Sequence, residues 1–347
     1  MALPATYAAF RRTVGDLPRS IEFSSESLPR DLGPREVLIK IHAVSLNFRD
    51  LAMLHGRYPV QTEERGIPCS DCAAEVVAIG SAVEDFAIGD RVSPIFDVTN
   101  FTGNESTPPI ALGGDIPGVL REYAVFEDRV LVHLPKYLTW EEASTLTCAG
   151  VTAWVALNSP SSVSGHTSAL LQGTGGVSMF ALVICIAAGI KPIITSSSDA
   201  KLEFIKELSP EVYGINRNTQ DQASEVLRAT DGAGVDIVIN NSGPASIPDD
   251  LKLLRLRGGT VSLVGFLDGL TVDWEPTAMT ALIGRAARLQ GIEVGSKVDY
   301  QHLNAYLEKK KVSIAPIIDR TFSFQDSKAA FDYMYSGKHT GKVVIKL

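Results

Sequence analysis

Apolar positions in the second half of the chain fall into short runs broken by polar turns. Leu170-Leu171 leads into Gln172-Gly173-Thr174-Gly175-Gly176-Val177-Ser178, and an apolar-rich stretch follows over residues 179–189. That order predicts strand, tight turn and helix, which aims backbone N–H groups at a pyrophosphate. A second run, Pro192-Ile193-Ile194, ends in Thr195-Ser196-Ser197-Ser198, and a helix is expected from Asp199. Further strands are predicted over 212–216, 235–240, 259–265 and 288–292. Strands alternating with helices specify an α/β fold with a doubly wound, largely parallel sheet.

The first third has a different texture. Short strand-like runs at 36–44 and 75–80, and another opening at Gly89-Asp90-Arg91-Val92, are separated by Gly and Pro. They predict a compact, mostly β domain of barrel type. Residues 97–118 read as one long loop, and such a loop inside a domain is more often functional than idle. Thr139 followed by Glu142 predicts a capping box at a helix start. The tail closes with a strand at 342–346 and is expected to return to the first domain. The domains expected are therefore 1–133 with 299–347, and 134–298.

Composition narrows the partners. The chain has 347 residues, enough for two domains, with 45% hydrophobic and 21% charged residues. Its formal net charge of −8 argues against a nucleic-acid or anionic-membrane partner. No apolar run is long enough to span a bilayer. The first residues carry no basic stretch followed by an apolar core, so a cytoplasmic location is expected. Cys69, Cys72, Cys148 and Cys185 lack the second close pair that a structural zinc site needs, so no metal is expected there. Cys69 and Cys72 read as buried thiols.

The glycine turn is the leading cofactor site. Gly173 permits the turn, Gly175 lets backbone approach phosphate, and Gly176 lets the helix start close to the sheet, with Thr174, Val177 and Ser178 completing the segment. At the end of the second strand an NAD-preferring fold places an acid on the ribose hydroxyls. Here Ser196 and Ser197 stand there, with Lys201 and Arg217 nearby, and this predicts NADPH. Asp199 is expected to cap its helix. Asn241, with Gly265, Phe266 and Leu267, follows strand ends and is expected to border the nicotinamide and its ribose.

These segments, taken in order, resemble the medium-chain dehydrogenase/reductase superfamily in its zinc-free branch, close to quinone oxidoreductases and zinc-type alcohol dehydrogenase-like proteins. The resemblance rests on Ser45-Leu-Asn-Phe-Arg-Asp50, Gly56-Arg-Tyr-Pro59, Gly89-Asp-Arg-Val92, Thr147-Cys-Ala-Gly-Val-Thr-Ala-Trp154, Gly173-Thr-Gly-Gly-Val-Ser178, Gly291-Ile-Glu-Val-Gly-Ser296 and Gly341-Lys-Val-Val-Ile345. The first two segments also resemble the enoyl-reductase domains of polyketide synthases. The resemblance implies a GroES-like β-barrel catalytic domain, a Rossmann domain, a cleft between them and a homodimer.

Zinc-dependent relatives would place metal ligands where this chain has Asn47, Ser70-Asp71 and Cys148, and a single thiol cannot hold zinc. The resemblance further implies Tyr58 as proton donor, Asn47 as a hydrogen-bonding amide, Asp71 as an orienting carboxylate and Cys148 as a wall of the site. It places Thr152 on the nicotinamide carboxamide and Lys342 on the cofactor. Three functions stay open: NADPH-dependent reduction of an activated double bond (enone, enoyl, quinone or imine), zinc-free ketone reduction or alcohol oxidation, and non-catalytic NADPH binding.

Overall fold

A computed structural model describes residues 3–60, 62–159 and 167–347. The chain divides into two compact units: Met1–Val151 with Gly295–Lys311 and Ile318–Leu347, and Thr152–Val294 with Val312–Ile317.

The first unit is organised around β3 (Glu36–Ser45). The sheet runs from β14 (Ile318–Ser323) through β15 (Lys342–Lys346), β3, β4 (Asp71–Ile79) and β5 (Arg91–Pro94) to β7 (Leu131–His133), and β6 (Tyr123–Glu127) also pairs with β3. A separate antiparallel hairpin joins β1 (Thr6–Arg12) and β2 (Ile21–Ser27). Val37, Leu38, Ile39, Ile41 and Val44 are all buried, because a central strand is covered on both faces. Register shifts at Leu38/Ile39 and Ile41/Ala43 interrupt the ladder with β4, and such bulges bend a sheet.

The tail does return to this unit, as β14 and β15. At its functional end, Ser45 pairs with both Asp71 and Val344. That register draws together the starts of β4 and β15 and the residue that opens α1 (Phe48–Leu54). Residues 134–151 belong here rather than to the second unit. The Thr139 capping box is present and opens α2 (Trp140–Ala143), which packs on β3 and β4. A helix α3 (Val151–Ala156) follows.

The second unit is a parallel sheet ordered β10 (Tyr213–Asn216), β9 (Lys191–Ser196), β8 (Ser168–Leu171), β11 (Ile237–Asn240), β12 (Thr260–Leu263), β13 (Arg288–Gly291). From β8 the chain first winds outward through β9 and β10, then crosses back to β11. Ligands of such sheets bind beyond the carboxyl ends of the strands at this reversal. The segments following β8 and β11 lie at this reversal.

Between β8 and β9 runs α4 (Gly176–Ala188), buried without interruption from Ser178 to Cys185 and ended by Gly189 at φ +73°. Only glycine enters that left-handed conformation cheaply. α5 (Asp199–Leu208), α6 (Gln222–Ala229), α7 (Ile247–Leu253) and α8 (Thr280–Arg285) are the later helices. Leu170, Ile193, Ile215, Val226, Val238, Leu251 and Val261 form the core beneath them. α9 (Lys297–Lys310) returns the chain to the first unit.

Candidate active site

The turn after β8 is held from beneath and open above. Gly173 sits at φ +76°, and a Cβ there or at Gly175 would meet nothing within 4 Å. The Gly173 N–H donates to Thr195 Oγ1 at 3.0 Å, tying the turn to the end of β9. Thr174 and Ser178 are buried, while Gly176 and Val177 begin α4 at the turn. The Ser178 hydroxyl donates to the Gln172 carbonyl at 2.8 Å. Asn241 Nδ2 donates to that carbonyl and to Ser178 Oγ, at 3.1 and 3.0 Å. Ser178 thus braces the turn from α4 and Asn241 from the end of β11.

A deeper layer had no counterpart in the sequence reading. Asp250, on α7, accepts from Gln172 Nε2 at 2.7 Å, Asn240 Nδ2 at 2.7 Å and Ser246 Oγ at 3.0 Å. Burial pushes its carboxyl up to about 7, against the downward pull of those three donors. The signal was available, because Ile247, Asp250, Leu251 and Leu254 occupy one helical face and the other three are core residues.

At the end of β9, Ser196 is buried and its hydroxyl accepts from the Ser198 N–H at 3.1 Å. Ser197 and Arg217 are exposed, and Lys201 is half-buried in the first turn of α5. Ser198, not Asp199, caps α5 by accepting from the Lys201 N–H. Asp199 lies one position inside the helix, where its carboxylate accepts from Asn216 Nδ2 at 2.6 Å. Beyond β12, the Leu267 N–H donates to the Asn241 carbonyl at 3.1 Å. A Cβ on Gly265 would lie 3.1 Å from that same oxygen, so the segments carrying Asn241, Gly265, Phe266 and Leu267 run against each other. Thr152 is buried in α3.

The first unit carries a second constellation. The Lys342 ammonium, 2% exposed, donates to the Leu46 carbonyl at 2.7 Å and to Asn47 Oδ1 at 2.5 Å. It lies 3.8 Å from Asp71 Oδ2. Asp71 is fully buried and accepts from the Ser70 hydroxyl at 2.7 Å and the Cys148 N–H at 3.1 Å. Burial, then the Asp71 charge, pushes the Cys148 thiol up to about 12, so it is protonated at neutral pH.

Arg49 is likewise buried. It donates to the Leu112 carbonyl at 2.8 Å and lies over Phe96 at 4.7 Å and over Tyr58 at 5.6 Å. Burial raises the half-buried Tyr58 phenol, and Arg49 opposes the rise by charge and hydrogen bond. Asp50 accepts from the Asn47 N–H at 2.8 Å, and its other oxygen is 4.0 Å from Arg49. Behind them the Tyr300, Thr147 and Ser93 hydroxyls form a buried chain, with spacings of 3.2 and 2.8 Å. Cys69 and Cys72 are buried thiols, as expected.

Two family models match this chain: the alcohol dehydrogenase GroES-like domain over residues 33–136 and the zinc-binding dehydrogenase domain over 176–309. A zinc-type alcohol dehydrogenase-like protein of Schizosaccharomyces pombe is 39% identical over 336 residues, covering 92% of this chain and 93% of its own. The chain belongs to the medium-chain dehydrogenase/reductase superfamily. It is an oxidoreductase of that superfamily, with a GroES-like first domain and a Rossmann-type sheet that binds a nicotinamide dinucleotide.

Other matches agree with this membership. A crystal structure from Sinorhizobium meliloti 1021, assigned as an alcohol dehydrogenase, superposes over 100% of both chains with a TM-score of 0.91 at 31% identity. A phenolphthiocerol/phthiocerol polyketide synthase subunit of Mycobacterium tuberculosis is 29% identical over 322 residues, which is 90% of this chain and 14% of that protein.

Among the described residues no group of three or more His, Cys, Asp or Glu is placed to hold a metal ion. At the place of the metal ligands this chain presents the Asn47 amide, the Asp71 carboxylate, one thiol, Cys148, and the Lys342 ammonium, with no imidazole and no second thiol among them. Those groups do not fit zinc. The dinucleotide does fit the second unit, through the open glycine turn and the N-terminus of α4. No helix among the described residues is long and apolar enough to cross a membrane.

Proposed function

We propose that the protein is a zinc-independent, NADPH-dependent reductase of an activated double bond, in an enone, enoyl thioester, quinone or imine. The observation that carries this reading is the bond from the Lys342 ammonium to Asn47 Oδ1. It fixes which way the amide faces, so Nδ2 must point away from the lysine as a donor. That donor is buried without an acceptor among the described residues, and an unmet buried donor is costly until something accepts from it. A developing oxyanion on a substrate is the acceptor that a reductase supplies, and such donors lower a barrier without a metal. A neutral Tyr58 beside Arg49 supports a role as proton source, since the guanidinium stabilises the phenolate left behind.

NADPH, when bound, supplies the hydride. Gly173, Thr174, Gly175 and the first N–H groups of α4 would hold its pyrophosphate. Ser196, Ser197, Lys201 and Arg217 would take the 2′-phosphate, and the engagement of Asp199 by Asn216 supports that preference by keeping a carboxylate off the ribose. A conjugated or cationic acceptor needs less polarisation than a simple ketone, which favours it where no Lewis acid assists. We also infer a homodimer, supported by the open edge of β13 and by Ile283, Leu270 and Leu267, which are 84%, 58% and 54% exposed.

Oxidation of NADPH against enones, enoyl thioesters, quinones, imines and ketones, with product identification, tests this proposal. Turnover of ketones alone would favour the reading suggested by the alcohol dehydrogenase relative, and binding without turnover would make the protein a dinucleotide binder. A full equivalent of zinc by elemental analysis would overturn the metal-free site.

A further inference from the structure

The glycine turn does not stand alone. Gln172 immediately precedes it, and Asn240 ends β11 across the sheet reversal; both side chains converge on one carboxylate. Asp250 is 1% exposed. Its Oδ1 receives Gln172 Nε2 at 2.7 Å, and its Oδ2 receives Asn240 Nδ2 at 2.7 Å and Ser246 Oγ at 3.0 Å. The far ends of the two amides are also committed. Gln172 Oε1 accepts from the Ser242 N–H at 3.4 Å. Asn240 Oδ1 accepts from the Gly243 N–H at 2.8 Å, and its Nδ2 donates to the Gly243 carbonyl at 3.1 Å. The two amides in this layer therefore take their directions from the double acceptor at its centre, while the Ser246 hydroxyl also lies 3.3 Å from the Gly243 carbonyl.

We propose that Asp250 is a positioning residue for the dinucleotide: through Gln172 and Asn240 it locks the turns after β8 and β11 in a single mutual register. The inference rests on the reading that the glycine turn binds a dinucleotide. Its physical basis is polarity. A carboxylate offers acceptors on both sides, and both sides are occupied by donors. An amide at 250 offers one acceptor and one N–H₂, so one neighbour faces it donor to donor. If Gln172 flips to relieve the clash, its N–H₂ turns toward the Ser242 N–H. If Asn240 flips, both of its bonds to Gly243 break. Either way one of the two cofactor-bordering turns loses its anchor. Buried polar networks are costly when half satisfied.

The test uses the full chain and calorimetric titration with NADPH and with NADH at about pH 8.5, where Asp250 is ionised, after wild-type binding has been measured. Asp250→Asn is close to isosteric, and its fold is checked by near-ultraviolet circular dichroism. It should weaken both dinucleotides alike, by at least about fivefold, the scale of one lost buried hydrogen bond. The decisive variant is Gln172→Glu combined with Asp250→Asn. It moves the double acceptor to position 172, where it can receive both the Ser242 N–H and the N–H₂ of the new amide, while the carbonyl of that amide receives Asn240 and Ser246.

That pair should recover affinity to within about threefold of wild type, whereas Gln172→Glu alone sets two carboxylates together and should bind worse than either. Wild-type affinity in folded Asp250→Asn overturns the proposal. So does a folded double variant that binds no better than Asp250→Asn. A wild-type protein that binds neither dinucleotide removes the underlying reading as well, and that result is seen before any variant is made.

Discussion

Replacing Lys342 with methionine removes a buried ammonium while keeping much of the length and bulk of the side chain. Two unit charges at the 3.8 Å separation of Lys342 and Asp71 attract by about 4 kcal/mol at an effective dielectric constant of about 20. The variant also loses the two hydrogen bonds to Leu46 and Asn47. Breaking one side of a buried pair leaves the other charge uncompensated, at a typical cost of about 3–5 kcal/mol. Asp71 keeps its bonds from Ser70 and the Cys148 N–H, which places the expected loss toward the lower figure. Asp71→Asn alone should cost a similar amount, because the ammonium is then the orphan.

The combined variant removes both charges and should lose less than the sum of the two, with a coupling of about 2 kcal/mol or more. Urea unfolding followed by fluorescence and by circular dichroism measures all three. Additive losses, agreeing within about 0.5 kcal/mol, would mean that the two charges do not interact and that the ammonium is not the cation of this site. The same Lys342→Met protein should lose kcat far more than KM for its best acceptor, because the Asn47 amide is then free to turn.

Two further outcomes follow from the second unit. Lys201→Ala should weaken NADPH by about tenfold or more, the scale of a charged hydrogen bond, and leave NADH nearly unchanged; equal losses in competitive titrations would remove Lys201 from the 2′-phosphate. The carboxyl of Asp250, raised to about 7 from an unfolded value near 3.9, makes the folded chain hold a proton that the unfolded chain releases. Its contribution to stability is therefore greatest in acid, falls as pH rises from about 4 to about 7, and is flat above, for a total of up to about 4 kcal/mol. Asp250→Asn should lack this slope in unfolding free energy measured across that range; a parallel pair of curves would contradict the assignment.

What could be read from the sequence was whatever lies close along the chain. The strand, glycine turn and helix around Gly173 are contiguous, so apolar runs and glycines define them without tertiary information. The capping box at Thr139 is equally local. Asp199 misled for a local reason too: Ser198 competes for the same cap, and a free hydroxyl next to a helix start outranks an acid that has another partner, here Asn216.

The cluster of the first unit could not be read in the same way. Lys342 and Asn47 are 295 residues apart, and only the pairing of Ser45 with Asp71 and Val344 brings them together. The structure sets the Lys342 ammonium against Asn47 and Leu46. The long loop at 97–118 was legible as a loop but not in its shape. Asp97 pins it by accepting from the Thr99 and Ile110 N–H groups at 2.9 and 3.0 Å, a tie between residues whose spacing carries no period.

The buried Asp250 carboxyl carries one consequence for how this fold tolerates change. A carboxylate there costs more to bury than a neutral side chain, and the three hydrogen bonds it accepts oppose that cost. Above pH 7, Asp250→Asn relieves the charged burial but sets one buried donor against another, so the two effects offset in unfolding free energy while dinucleotide affinity falls. Binding should drop in this variant without a matching drop in stability. A residue that served the fold alone would move them together, because a loosened scaffold loosens its turn. Lost binding without matching lost stability is what a carboxyl retained for its directional acceptors requires, and it makes position 250 the place where the two roles separate most cleanly.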